Sequence, residues 1–329
     1  MHKSLCVLFL VFSCYNLVRA DTLSLGSKQF SIATQNLHRF FDTHDDKTIR
    51  EPVLTDHWYQ HKLNKLAAQI SLVLNNPDII AVQEVENISA LQDLAKKISS
   101  SSSSYSVFLE EGHDRGGIDV GFLVNDTIRV MGVQQILADI RFSYDDSYLF
   151  DRPPLHMRFT IEGVKGPPLS IVVVHNRSFY GLNKPSKHKR VKSKRDKQAQ
   201  LLGKWINRWQ RAHPDNQLII LGDFNALCGS RELEMIKKFS IDSQIEGLLS
   251  LCLNVVKEKR YSFIYKGKKQ ALDHMLISKK LGEALLSVYY TNGNSNVKNK
   301  RYWYDKSSPL RSSDHEGLVA VFKKSNCCL

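Results

Sequence analysis

Ile219-Ile220-Leu221-Gly222-Asp223-Phe224-Asn225-Ala226-Leu227-Cys228 opens as an apolar run, stops at a glycine, and then presents an acid and an amide two residues apart. Side chains two apart along a strand leave on the same side, so Asp223 and Asn225 arrive together at a strand end. Strand ends are where sheet proteins build sites, because the sheet holds the backbone rigid while the loop exposes the side chains. Alone, Asp-Phe-Asn reads first as a strand running into an Asx-type turn, since Gly, Asp and Asn are ordinary turn residues. The rest of the chain has to decide between the two.

Upstream, the same form recurs. Residues 28–36 alternate in hydropathy and end at Gln35-Asn36, a first strand with Asn36 at its tip. From Asp56 to Leu74, the apolar positions Leu63, Leu66, Ala67, Ile70, Leu72 and Leu74 return at mainly helical spacing until Asn75-Asn76-Pro77 stops them. Ile79-Ile80-Ala81-Val82 predicts a buried strand delivering Gln83-Glu84. An acid directly after an all-apolar strand is costly to bury uncompensated; a divalent cation is one compensator, and a helix starting near Asn87 is another. Six serines, Ser99 to Ser104, suggest a flexible surface link. Asp119 stands at the mouth of a strand through Val124, and further strands are expected over 128–137 and 155–162. Arg152-Pro153-Pro154 introduces the latter, holding Arg152 in an extended turn from which it can clamp a phosphate. Leu169 to Val174 is wholly apolar and releases His175, a general acid or base candidate, although a lone histidine is more often structural.

Between Lys184 and Lys197 the chain carries eight Lys or Arg and one acid, which reads as a basic loop leading into a helix from Gln198 to Arg211. Its Lys189, Arg190 and Arg195 are candidate contacts to a polyanion. Downstream, Tyr261–Tyr265 and Ala271–Ile277 suggest a hairpin with Asp273-His274 in its second strand. Lys298 to Tyr304 mixes cations with aromatics, and Ser313-Asp314-His315 precedes a closing strand from Leu318 to Phe322.

Composition sets the frame. The 329 residues, 42% of them hydrophobic, are enough for a sizeable core. Residues 1–20, with Lys3, an apolar stretch and Val18-Arg19-Ala20, have the form of a removable secretory signal, so the expectation is a secreted or periplasmic protein; a lipoprotein anchor at Cys14 is the competing reading. Without them, 44 cations face 33 acids. Such an excess attracts polyanions. Of the remaining cysteines, Cys228 and Cys252 form the disulfide candidate, while Cys327 and Cys328 lie in the last three residues.

Taken together, Gln35-Asn36, Gln83-Glu84, Arg152-Pro153, His175, Gly222-Asp223-Phe224-Asn225, Asp273-His274 and Ser313-Asp314-His315 resemble, in order and spacing, the endonuclease/exonuclease/phosphatase family with its deoxyribonuclease I-like fold. The resemblance spans roughly residues 28–323 and is strongest to exported bacterial nucleases. It implies a four-layer α/β sandwich, two packed mixed sheets flanked by helices. It implies Glu84 as ligand to Mg²⁺ or Mn²⁺, with Ca²⁺ a further candidate, and Asn36 and Asp314 nearby. His315 oriented by Asp273 and His175 oriented by Asp119 would serve as acid and base, with Asp223 competing for the base role. Asn225 and Arg152 would bind phosphate oxygens. Glu316-Gly317 departs from the pattern, since many members carry a proline there. The implied activity is hydrolysis of nucleic acid, most simply as a monomeric DNA endonuclease. A phosphatase or phospholipase C-type enzyme on lipid headgroups, and a catalytically dead polyanion-binding factor, are the alternatives.

Overall fold

The computed structural model describes residues 28–241, 247–295 and 311–326. The signal-like segment, Lys298 to Tyr304, Cys327 and Cys328 lie outside these residues.

Two six-stranded sheets form the centre. In chain order the elements are β1 (Gln29–Phe40), α1 (Asp56–Ala68), β2 (Ile79–Val85), α2 (Ile88–Ile98), β3 (Tyr105–Leu109), β4 (Asp119–Asn125), β5 (Ile128–Gln135), β6 (Leu155–Ile161) and β7 (Leu169–His175). Then come α3 (Pro185–Ala212), β8 (Leu218–Asp223), α4 (Arg231–Ser240), β9 (Leu249–Ser250), β10 (Phe263–Tyr265), β11 (Lys268–Gln270), β12 (Asp273–Ile277), α5 (Lys279–Gly282), β13 (Leu285–Tyr290) and β14 (Leu318–Lys323). One sheet has the order β13-β14-β1-β2-β4-β3 and the other β5-β6-β7-β8-β12-β9. Each is mixed: β1 runs parallel to β2 and β7 parallel to β8, while their other pairings are antiparallel.

Alternation along the strands builds the layers. Ile219 and Leu221 of β8, with Leu169, Ile171 and Val173 of β7, join the core between the sheets; Leu218, Ile220, Val172 and Val174 pack on the other side with Ala199, Leu202 and Ile206 of α3. In the first sheet Ile79 and Ala81 face inward, and Ile80 and Val82 meet Leu63, Leu66, Leu91 and Leu94 of α1 and α2. Central strands covered on both faces need apolar side chains at every position, which is why β7 and β8 show no alternation in sequence. Each such Ile or Leu contributes roughly 1.5–3 kcal/mol by leaving water.

Three expectations need correction. The basic stretch 184–197 is no loop: one helix of 28 residues runs from Pro185 to Ala212. Lys and Arg are good helix formers, Pro185 sits at the first helical turn, and the buried stripe simply begins with Val191, Lys194 and Arg195 before continuing as Gln198, Ala199 and Leu202. The aliphatic stems of two cations take core-facing positions that a hydropathy count treats as polar. The hairpin from Tyr261 is also different: β10 turns onto β11, whereas β12 pairs antiparallel with β8 and so enters the second sheet. Lastly, the serine run makes a tight turn, with the Ser100 N–H donating to the Ser103 carbonyl at 2.8 Å and the Ser104 N–H to Asp126 at 3.1 Å.

Candidate active site

The inward faces of the two sheets open at one end, and the register brings the chemistry there. His175 of β7 is opposite Asp223 of β8, and Asp223 is opposite Asp273 of β12. All three lie in the inward-facing rows, each two positions from a core residue: Val173, Leu221 and Met275. Asn36 continues the row of Phe30 and Ile32 in the same way.

Glu84 breaks this parity. Two residues beyond Val82 it belongs on the helix side, yet the β2 register shifts between Gln83 and Val85 and Glu84 adopts a left-handed φ of 60°. This bulge turns the carboxylate inward, where Oε1 accepts from the Asn36 amide at 3.1 Å and Oε2 from the Arg39 N–H at 3.0 Å. A second bulge in β1, with φ of 51° at His38 and 55° at Arg39, supplies that N–H. Left-handed conformations of such residues cost on the order of 1–3 kcal/mol each and persist where surrounding structure enforces them.

Gly222 is required by the approach of β7: its φ is +132°, and a Cβ there would stand 2.1 Å from the Val174 carbonyl oxygen. Beyond it, Asp223 Oδ1 accepts from the Asn225 N–H at 2.8 Å, so the Asx turn and the site are the same object. Asp223 Oδ2 faces the Asn36 amide at 3.3 Å and His175 Nε2 at 3.5 Å. Burial, reinforced by the Asp273 charge, pushes the Asp223 carboxyl well above the usual range. His315 Nδ1 lies 2.6 Å from Asp273 Oδ2. Burial alone would lower this imidazole, but the Asp273 charge and hydrogen bond, with Asp223 and Asp314 beyond, raise it well above its ordinary value. His175 moves the other way: burial, Arg152 and His315 hold it neutral.

Among the described residues, two groups have ligand atoms within 4.8 Å of one another, Glu84–His175–Asp223 and Asp223–Asp273–His315. The first fits a divalent cation: two carboxylates and a neutral imidazole converge within reach of a single ion.

The remaining expected residues are placed as follows. Arg152 donates to the His175 carbonyl at 3.4 Å and to Asp114 at 2.6 Å, so it borders the centre while paired. Asn225, at a left-handed φ of 49°, donates to the Asn176 carbonyl at 3.1 Å. Asp314 stands 3.7 Å from His38 Nε2 and belongs to neither metal-capable group. Asp119 does not orient His175: its carboxylate accepts from the Gly112 N–H at 2.9 Å and pairs with Glu111, while His175 Nδ1 is buried without a partner. Of the basic candidates, Lys189 is exposed and Arg190 binds Asp145 at 2.5 Å. Arg195 is buried against Glu232 at 2.7 Å, a support of the fold and no substrate contact.

Sequence reading missed three groups. His38 reaches the centre through the β1 bulge. Lys62 of α1 is buried, donates to the Ser312 carbonyl, and is lowered by that burial to about 7 despite Asp314 and Glu84 nearby. Glu316 is fully buried and accepts from Thr291 Oγ1, the N–H groups of Gly293, Asn294 and Ser295, and Ser295 Oγ, at 2.8–3.1 Å. It thereby fastens the residues after His315 to the turn beyond β13. The only signal was its departure from the family pattern.

Residues 31–314 match the family described as the Endonuclease/Exonuclease/phosphatase family. The chain belongs to it. Members are metal-dependent hydrolases acting on phosphodiester bonds, and the two mixed sheets flanked by helices are their deoxyribonuclease I-like fold. Among solved structures, Danio rerio TDP2 complexed with a single-strand DNA product is 17% identical, covering 90% of this chain and 99% of that one, with a TM-score of 0.57. The human Nocturnin catalytic domain with bound sulfate is also 17% identical, covering 90% and 94%, at 0.57. A family protein from Bacteroides thetaiotaomicron is 12% identical, covering 89% and 97%, at 0.58. No curated protein matches. The Cys228–Cys252 disulfide is present. Among the described residues, no helix is long and apolar enough to cross a membrane.

Proposed function

We propose that this chain is an exported, metal-dependent phosphodiesterase that hydrolyses nucleic acid, cutting DNA endonucleolytically. The observation that carries the catalytic part is the convergence of Glu84, His175 and Asp223 with the Asp273–His315 pair at one open end of the sandwich. The exposed cations of the first turns of α3, Lys187, Lys189 and Lys192 among them, support a polyanionic substrate.

A phosphodiester resists attack because its oxygens repel the nucleophile. Glu84, Asp223 and His175 would hold a divalent cation, the two carboxylates favouring Mg²⁺ or Mn²⁺, and it would supply charge neutralisation at those oxygens. The Asp223 carboxylate, facing His175 and the Asn36 amide, accepts the proton of the attacking water. His315, kept charged by Asp273, donates to the phosphoryl oxygens or to the departing oxygen as negative charge builds. Arg152 borders the same space and draws the phosphate towards His175. Asn36 keeps Glu84 and Asp223 in place through its amide.

The test is incubation of the protein with plasmid and with RNA, in Mg²⁺ and in EDTA. Cleavage with Mg²⁺ that stops with EDTA is expected; no cleavage with Mg²⁺, or cleavage surviving EDTA, overturns the reading. Export is supported by the form of residues 1–20 and by the disulfide, which persists in oxidising compartments. An amino terminus beginning at Asp21 in protein recovered from a secreting host is the expected outcome.

A further inference from the structure

We propose that the cleft between the β5–β6 connection and α3 is a subsite for the base of an unstacked nucleotide next to the scissile phosphate. This rests on reading the centre as a nucleic-acid phosphodiesterase. The cleft has a volume of about 700 Å³, and Arg141, Tyr148, His113, Asp145, Asp151 and Arg190 are among its lining residues.

Its place follows from the chain. Asp151 precedes Arg152, whose guanidinium donates to the His175 carbonyl; the His113 N–H donates to the Asp151 carbonyl at 2.7 Å, and Asp114 pairs with Arg152. The cleft therefore shares a wall with the His175 side of the centre.

Its structure is that of a built platform. Arg141 and Tyr148 form a bridge, and Phe142, Leu149 and Phe150 bury beneath it as a small core that Leu201 of α3 packs against. On this base stands a three-tier stack. The Arg141 guanidinium lies 3.7 Å over the Tyr148 ring, and the Tyr148 and His113 rings are 3.4 Å apart at an interplanar angle of 6°. Arg141 is exposed, so the outer face of its guanidinium is the open end of the stack. Bases stack on guanidinium and aromatic planes with little regard to sequence.

Charge decides between a base and a phosphate as the occupant. Arg190 is held by Asp145 at 2.5 Å, and Asp151 is held by Lys194 at 2.9 Å. The lining carries three arginines, Arg115, Arg141 and Arg190, against three aspartates, Asp145, Asp146 and Asp151, and this balance disfavours a site for a bare anion and suits a flat, neutral, hydrogen-bonding group. A phosphate subsite calls for cations in excess, and the exposed Lys187 and Lys189 of α3, outside the cleft lining, offer them.

The test compares a single-stranded oligonucleotide with bis(p-nitrophenyl) phosphate, a diester without a base, both in Mg²⁺. Arg141→Ala and Tyr148→Ala are expected to raise KM for the oligonucleotide about tenfold, the scale of one lost stacking contact, with kcat within about twofold. Tyr148→Phe, which retains the ring, is expected to keep the wild-type KM. Cleavage of bis(p-nitrophenyl) phosphate is expected to be equal in all four proteins. Equal losses on both substrates would make the platform a mere support of the centre, and no change on either would leave the cleft without this ligand; each overturns the inference alone. Wild-type protein that cleaves the small diester but no nucleic acid overturns the reading of the substrate itself.

Discussion

Asp223 and Asp273 face each other across the antiparallel pair β8–β12, both nearly or wholly shut off from solvent, and each has a histidine on its far side. Two buried carboxylates in register repel, and the imidazole of His315, held well above its ordinary value beside Asp273, offsets that repulsion. The pair thus separates two roles by environment: one carboxyl with raised proton affinity, one fixed as the partner of an imidazolium.

Asp273→Asn removes the charge that holds His315 up, and the imidazole then falls towards the value that burial favours. His315 is charged below its pKa and loses the proton above it. The alkaline limb of kcat/KM against pH, measured on bis(p-nitrophenyl) phosphate, is therefore expected to move to lower pH. His315→Gln and Asp223→Asn are each expected to lower kcat by roughly 10²–10⁴. An unmoved alkaline limb in Asp273→Asn would contradict the charged His315.

His156 supplies a stability prediction away from the centre. It is 4% exposed, packs edge-on against Trp205 and Trp209, and burial lowers its pKa from 6.5 to about 4. Above pH 6.5 both folded and unfolded chains hold it neutral. As pH falls from there towards 4, the unfolded chain takes up the proton first, so stability is lost in that window, by on the order of 3 kcal/mol in total. His156→Gln is expected to flatten the midpoint of urea unfolding against pH between these limits.

Gly222→Ala places a methyl group against the Val174 carbonyl at a backbone angle that alanine avoids. A loss of at least about 3 kcal/mol is expected, enough to lower soluble yield as well as thermal midpoint. A variant melting with the wild type would show that β7 and β8 can separate at this rung.

The Cys228–Cys252 bond closes a loop across 24 positions. Chain entropy assigns it about 3 kcal/mol. Reduction, or a double Cys→Ser change, is expected to lower the denaturant midpoint accordingly.

Mn²⁺ is expected to raise the melting temperature of the wild-type protein, since an ion that binds the folded state alone stabilises it, and Glu84→Ala is expected to remove that rise. The loss is readable by scanning calorimetry without any substrate.

Much of this was legible in the sequence because strand ends leave a mark there. Gln83-Glu84, His175 and Asp223 each follow an apolar run, and runs of four to six buried residues are unmistakable. What hid was anything set by conformation or by long side chains. His38 reaches the centre through a bulge that no residue type announces, and α3 begins thirteen residues before its apolar stripe becomes obvious, because Lys194 and Arg195 fill the stripe with their stems. The assignment of Asp119 to His175 failed for a related reason. Family position implied a contact, but Asp119 had nearer donors and a carboxyl neighbour in Glu111.

The bulge at Glu84 leaves the fold and its chemistry joined by a single residue count. Deleting Glu84, the extra residue between Gln83 and Val85, would restore the regular pairing of β2 with β4 and keep every core contact of the strand. The acid would be lost with it, while Val85 would keep its place on the helix side. Such a protein should fold, melt cooperatively and bind no metal, so in this architecture a one-codon deletion converts an enzyme into its own inert scaffold.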